Sequence, residues 1–314
     1  MASQSEHFIS LPLVSKTEES ANMPLVINVV LKYWGEDNIG HRDAGSTTQS
    51  TSALILGIEH AESRGYVSHI YKSSMNDLKK RIDQGIPPIV IMPGIQSTVQ
   101  HAMVVSGYNI EERRILTYVP EPDTLGAIQE SRFEQEWEQD DMTAIVVIPS
   151  DMKDLLKNDH FRFEKSNRMC LEAEGMRQRG RVNEAIEKLR QSTEIDTDNA
   201  QAWCVLGAVY NEINSDQALS CYEKTIKLNP NYYLAYRGLG NYYLKKKDYS
   251  LSEIYYSKAI SINASRFGPI YKNRAIARMQ LGNNQGAKED LVKYLKQTPG
   301  ANDTKNIIEA LAQL

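Results

Sequence analysis

The polar and apolar positions of the chain fall into two regimes. Through residue 150 they alternate or run solid over short stretches. "FISLPLV" (8–14) and "YVSHIYK" (66–72) alternate in the manner of strands with one wet face. "IPPIVIM" (86–92), "HAMVVSGYN" (101–109), "RILTYVP" (114–120) and "TAIVVIP" (143–149) are denser, which predicts strands covered on both faces. Between them, 22–34, 50–64, 74–84 and 131–139 carry the spacing of helices. The first half therefore predicts an α+β domain over 1–150, with an early helix and a strand-rich remainder. "SDMKDLLKNDHFRFEKSN" (150–167) predicts a helical linker over 151–167.

Beyond that point the pattern repeats. "RMCLEAEGM" (168–176), "AWCVLGAVY" (202–210), "AYRGLGNYY" (235–243) and "IYKNRAIAR" (270–278) place a small residue at Ala173, Gly207, Gly240 and Ala275, with spacings of 34, 33 and 35. A second small residue follows at Ala185, Ala218, Ser252 and Ala287, and "IDTDN", "LNP", "INA" and "QTP" close the helix pairs. Trp203, Leu206, Gly207 and Tyr210 match the W-x2-LG-x2-Y pattern, so the segment resembles the tetratricopeptide repeat. The expectation is four such repeats over 168–314, closed after Pro299 by a capping helix, "ANDTKNIIEALAQL". Together the halves predict an α+β domain followed by an all-α solenoid.

That resemblance implies a concave groove that binds peptides or partner helices and places certain positions of each first helix inward. Carried over, these are Cys170, Glu174 and Arg177; Cys204, Ala208 and Asn211; Arg237, Asn241 and Leu244; Lys272, Ile276 and Met279. Arg237 and Asn241 share a helix face with Lys245 one turn on, and Lys272 would project beside them. Arg177, Asn211, Arg237, Asn241, Lys245 and Lys272 are thus the candidate partner-binding residues. Cations beside an amide suit an acidic side chain or a C-terminal carboxylate, and the set resembles part of the clamp of chaperone-binding repeat proteins. Ordinary surface charge is the plainer reading of the same residues.

Charge sharpens the division. Residues 1–160 hold 13 Lys+Arg against 23 Asp+Glu, and residues 161–314 hold 23 against 17, so the halves carry −10 and +6. Such asymmetry suggests two modules with different partners, although solvated faces alone produce the same imbalance. The basic half admits RNA or a ribonucleoprotein as an alternative partner, although no aromatic and basic residues interleave on a strand platform. Cys170, Cys204 and Cys221 show no CxxC spacing, and the histidines form no cluster, so neither a metal nor another cofactor is expected. No apolar stretch approaches the length that spans a bilayer, and the first residues lack the form of a secretory signal. The expectation is a cytoplasmic chain with no membrane contact.

In the first half "NMPLVINVVLKYWG" (22–35), "HAMVVSGYN" (101–109), "YVPEP" (118–122) and "SRFEQEWEQ" (131–139) together resemble the papain-like, bacteriocin-processing cysteine peptidases that cut after double-glycine leaders. In that family a glutamine stands six residues before the nucleophilic cysteine, which opens the first helix. A histidine begins a later strand and an aspartate follows it. The resemblance puts Lys16, Asn22, His101 and Glu121 in those places. A thiolate attacks because a neighbouring imidazole and a helix N-terminus stabilise it, and a carboxamide has no such electron pair. Asn22 is well explained instead as a helix cap before Pro24. The expectation is therefore a pseudopeptidase: no catalytic residue, four vestigial positions, and a protein-binding scaffold. The competing expectation is a cryptic hydrolase or acyltransferase in which His101 serves another nucleophile, with Ser20 the nearest hydroxyl.

Overall fold

The structure is a computed structural model that describes residues 5–13, 25–36, 53–94, 99–120 and 124–314. It divides into two compact units, one of residues 1–92 and 102–197, the other of residues 93–101 and 198–314.

In the first unit, α1 (Leu25–Tyr33) is apolar on nearly every side and is buried accordingly from Val26 to Leu31. Gly35 closes it at φ +89°. The Trp34 indole then donates to Val147 O at 2.8 Å and the Tyr33 hydroxyl to Gly85 O at 2.8 Å, which fixes the helix end. Helices α2 (Ala53–Ser63), α3 (Met75–Asp83) and α4 (Glu130–Glu138) complete the helical part, α3 starting where Ser74 Oγ accepts from Asp77 N.

Seven strands form one sheet: β1 (Glu6–Phe8), β2 (Tyr66–Lys72), β3 (Ile89–Pro93), β4 (Gln100–Asn109), β5 (Arg114–Val119), β6 (Thr124–Gln129) and β7 (Thr143–Pro149). Their order is β2-β7-β3-β4-β5-β6, with β1 beside β4. Along β7, Ala144, Val146 and Ile148 join one core cluster while Ile145 and Val147 join the other, with α1. Burial on both faces is why that strand reads as an unbroken apolar run.

The first strand is shorter than the alternation of 8–14 predicts. Pairing stops at Phe8, opposite Gly107 where β4 carries a bulge, and Pro12 has no N–H to continue it. A Cβ on Gly107 would lie 2.4 Å from His7 O, so only glycine lets β1 pass. Strand β6 is an addition to the predicted set.

After β7 come a 3-10 helix (Ser150–Leu156) and then helices alone. The first pair, α5 (Glu164–Gln178) and α6 (Val182–Ile195), belongs to the first unit. Lys72 N donates to Arg162 O at 2.9 Å, Arg168 donates to Ser68 O at 2.7 Å and pairs with Glu62 at 2.7 Å, and Glu164 meets His69. These contacts tie α5 to the β2 side of the sheet.

The second unit contains three more pairs and a last helix: α7 (Ala200–Glu212) with α8 (Gln217–Leu228), α9 (Tyr233–Lys245) with α10 (Tyr249–Ile262), α11 (Pro269–Gln280) with α12 (Asn284–Gln297), and α13 (Thr304–Gln313). Ala218, Ser252 and Ala287 are fully buried, and a Cβ on Gly240 would lie 2.5 Å from the Tyr256 ring. The periodic small residues are thus where one helix meets its partner. The chain is an α+β domain followed by an all-α run of helix pairs.

Candidate functional site

Of the four peptidase-like positions, Lys16, Asn22 and Glu121 lie outside the described residues, as does Ser20. His101 is the second residue of β4 and belongs to the second unit. Its Nδ1 lies 2.6 Å from Pro93 O. A carbonyl only accepts, so that nitrogen carries a proton. On α1, Asn28 is 1 % exposed and neither side-chain atom has a hydrogen-bond partner among the described residues. The apolar pattern of 22–34 gives no signal that singles it out.

The repeat positions differ in what occupies them. Arg177 makes two hydrogen bonds to the Glu174 carboxylate one turn before it, at 2.9 and 2.6 Å. Asn211 is buried, its side chain hydrogen-bonded to Tyr222, and its carbonyl accepts from the Lys245 ammonium. Lys272 pairs with Asp303 at 2.7 Å and lies over the Tyr294 ring. Its charge and the Tyr294 hydroxyl hold the Asp303 carboxyl below the usual carboxylate range. These cations are already engaged within the chain.

Arg237 is different. Its guanidinium lies 4.4 Å from the centre of the Phe267 ring, and it makes no hydrogen bond or ion pair with the described residues. Burial, with Arg266 nearby, draws its pKa below that of an ordinary arginine, while the hydroxyls of Tyr233, Tyr222 and Tyr256 favour the charge. One turn on, Asn241 Oδ1 accepts from the Tyr256 hydroxyl at 2.7 Å and from Asn273 Nδ2 at 3.4 Å. The structure thus gathers Arg237, Asn241, Asn273, Tyr256 and Phe267 in the second unit. Phe267 comes from the turn between α10 and α11, where repeat periodicity gives no signal. Such a site can offer a guanidinium fork and an amide to an anion, with an aromatic face behind the cation.

Among the described residues no group of three His, Cys, Asp or Glu is placed to hold a metal, and no helix is long and apolar enough to cross a membrane. All three cysteines are buried and outside any disulfide, and burial pushes the Cys170 thiol up to about 12.

Comparison with known proteins agrees with the order of the parts. Residues 21–145 match the model of the Peptidase_C39 like family. Residues 176–213 match a TPR repeat model and 213–267 a tetratricopeptide repeat model. No curated protein matches the chain. Among solved structures, the MamA protein is 25% identical over 47% of this chain and 77% of its own, with a TM-score of 0.39. PilF of Pseudomonas aeruginosa is 20% identical over 48% and 70%, with a TM-score of 0.43. The first TPR of Spaghetti (RPAP3), bound to the HSP90 peptide SRMEEVD, is 24% identical over 38% and 94%, with a TM-score of 0.35. Repeats of this kind support a protein-binding adaptor role. By these matches the chain has two parts, a peptidase C39-like segment over 21–145 and tetratricopeptide repeats over 176–267.

Proposed function

We propose that the chain is a non-catalytic adaptor whose repeat unit takes acidic segments of partner proteins at Arg237. The single observation that carries this reading is the state of that side chain: a partly buried guanidinium with no acidic partner among the described residues, beside Asn241. An unpaired buried charge is costly, and a ligand carboxylate would relieve that cost through a bidentate pair. Lys272 and Arg177, held by Asp303 and Glu174, serve packing on this reading. The peptidase-like domain contributes a protein-holding surface without cutting, because Asn22 stands where attack would need a thiolate. Linked to the repeats, it would let one chain engage two partners, or one partner twice.

The test is direct. A labelled acidic decapeptide with a free C-terminus is titrated against the full chain by fluorescence anisotropy, at low and high salt. Binding at least tenfold weaker in Arg237→Ala, with the thermal midpoint unchanged, is the expected result. Equal binding by the variant removes the groove reading. Turnover of peptide by the purified chain, abolished in His101→Ala, removes the non-catalytic one.

A further inference from the structure

The first unit contains an open cavity of about 590 Å³ on the α1-bearing face of the sheet. Its lining includes Leu11 and Leu13 from the segment after β1, Leu116 and Tyr118 of β5, and Leu125 and Ala127 of β6. Tyr118 faces Leu125 across the ladder and Leu116 faces Ala127, so all four side chains point to one side. The three most exposed large apolar residues of the described chain are Leu125 (70 %), Phe8 (64 %) and Leu13 (62 %), and all three line this one cavity. Apolar surface gathered so tightly marks a contact site.

The two outer edges of the sheet are treated differently. Edge strand β2 is bridged by the chain itself, through Lys72 and Arg162. Edge strand β6 pairs with β5 on one side, and no described strand lies on the other. Its six residues leave a ladder of roughly 20 Å that no described strand covers, beside the cavity. Among the described residues of the lining Glu6 is the only charged one, so this part of the site disfavours acidic segments and favours a basic residue.

We propose that β6 takes an extended segment of a partner protein as an added strand. Alternate apolar side chains of that segment enter the cavity, and a lysine or arginine at its end is drawn toward Glu6, which lies on β1 across β4 and β5. This is strand addition, with main-chain bonds supplying affinity and every second side chain supplying choice. It concerns a surface separate from the Arg237 site and a ligand of opposite charge preference.

The experiment uses the full chain and a blocked, fluorescein-labelled octapeptide of alternating leucine and threonine with one terminal lysine, read by anisotropy. Saturable binding is expected, weakened at least tenfold in Leu125→Asp. Leu125 is exposed, so the variant should keep its thermal midpoint. Two further peptides, N-methylated at odd or at even residues, need no change to the protein. One should bind as before and the other at least tenfold more weakly, since only one phase donates to β6. The proposal is overturned by no binding at millimolar peptide, by equal binding to Leu125→Asp, or by equal binding of both methylated peptides. It is also overturned if Leu125→Asp dissolves a dimer that the peptide does not displace, which would make the occupant a second copy.

Discussion

The Arg237 guanidinium lies over the Phe267 ring, 4.4 Å from its centre, and Phe267 itself is held at φ +51°. A bulky residue in the left-handed region costs about 1–3 kcal/mol and persists only where its surroundings impose it. The pair therefore joins a strained turn to a cation without an acidic partner. Replacing the cation should separate stability from binding. Arg237→Met keeps the aliphatic stem and discards the buried charge, so unfolding in urea should show stability unchanged or raised by about 1 kcal/mol. Acidic-peptide binding should fall at least tenfold in the same variant. A large loss of stability would mean that the charge is structural.

Asn28 offers a gain of stability. Its amide is buried on α1 with no hydrogen-bond partner among the described residues, an arrangement that costs about 1–3 kcal/mol against an apolar side chain of similar size. Asn28→Leu should raise the unfolding free energy of the first unit by that amount, measured by urea titration followed through tryptophan fluorescence. A fall of similar size would mean that the amide meets a need for which the surrounding side chains give no sign.

How much of this was legible follows from what each residue type can signal. Solid apolar runs marked β7 and α1, because elements covered on all sides have no polar positions to blur them. The phase of Gly207, Gly240 and Ala275 located the helix pairs, since only small residues fit where Tyr222 and Tyr256 press in. Strand β6, "TLGAIQ", was illegible: it is a mostly exposed edge with a glycine, and nothing in its composition requires pairing. Repeat phase located Arg237 and Asn241 but not the fate of their charges. Asp303, which engages Lys272, comes from a loop outside the repeat pattern, and Glu174, itself one of the pattern's inward positions, pairs with Arg177 one turn on.

Asp159 makes the first unit sensitive to acid. Burial alone would raise its pKa, but hydrogen bonds from Lys80 and Arg81 outweigh that and hold the carboxyl below its ordinary 3.8. A depressed folded pKa gives stability that is fully present above 3.8 and is lost as pH falls through the folded value. Between pH 5 and pH 2 the wild type should lose this share of stability, and Asp159→Asn should lose less over the same interval while starting lower at pH 7. Parallel pH curves for the two proteins would show that the carboxyl is not linked to folding.

The last repeat turns on Asp290, a carboxylate 3 % exposed on its side chain. Arg274 grips it with two bonds, Nε to Oδ2 at 2.8 Å and Nη2 to Oδ1 at 2.6 Å, and Arg278 adds a third at 3.0 Å. Arg278 is also paired with Glu253 at 2.7 Å, so the carboxylate joins α12 to α11 and, through Arg278, to α10. Asp290→Ala leaves Arg274 without a countercharge, while Arg278 keeps Glu253. Breaking a buried pair from one side costs about 3–5 kcal/mol, which is a large part of a small unit's stability. Because each helix pair leans on its neighbours, the loss should appear as early melting of α11 to α13, seen as faster amide hydrogen exchange there than in β7. Arg274→Met combined with Asp290→Leu removes both charges and should recover most of the loss. Failure of that double variant to recover would show that the carboxylate does more than balance Arg274.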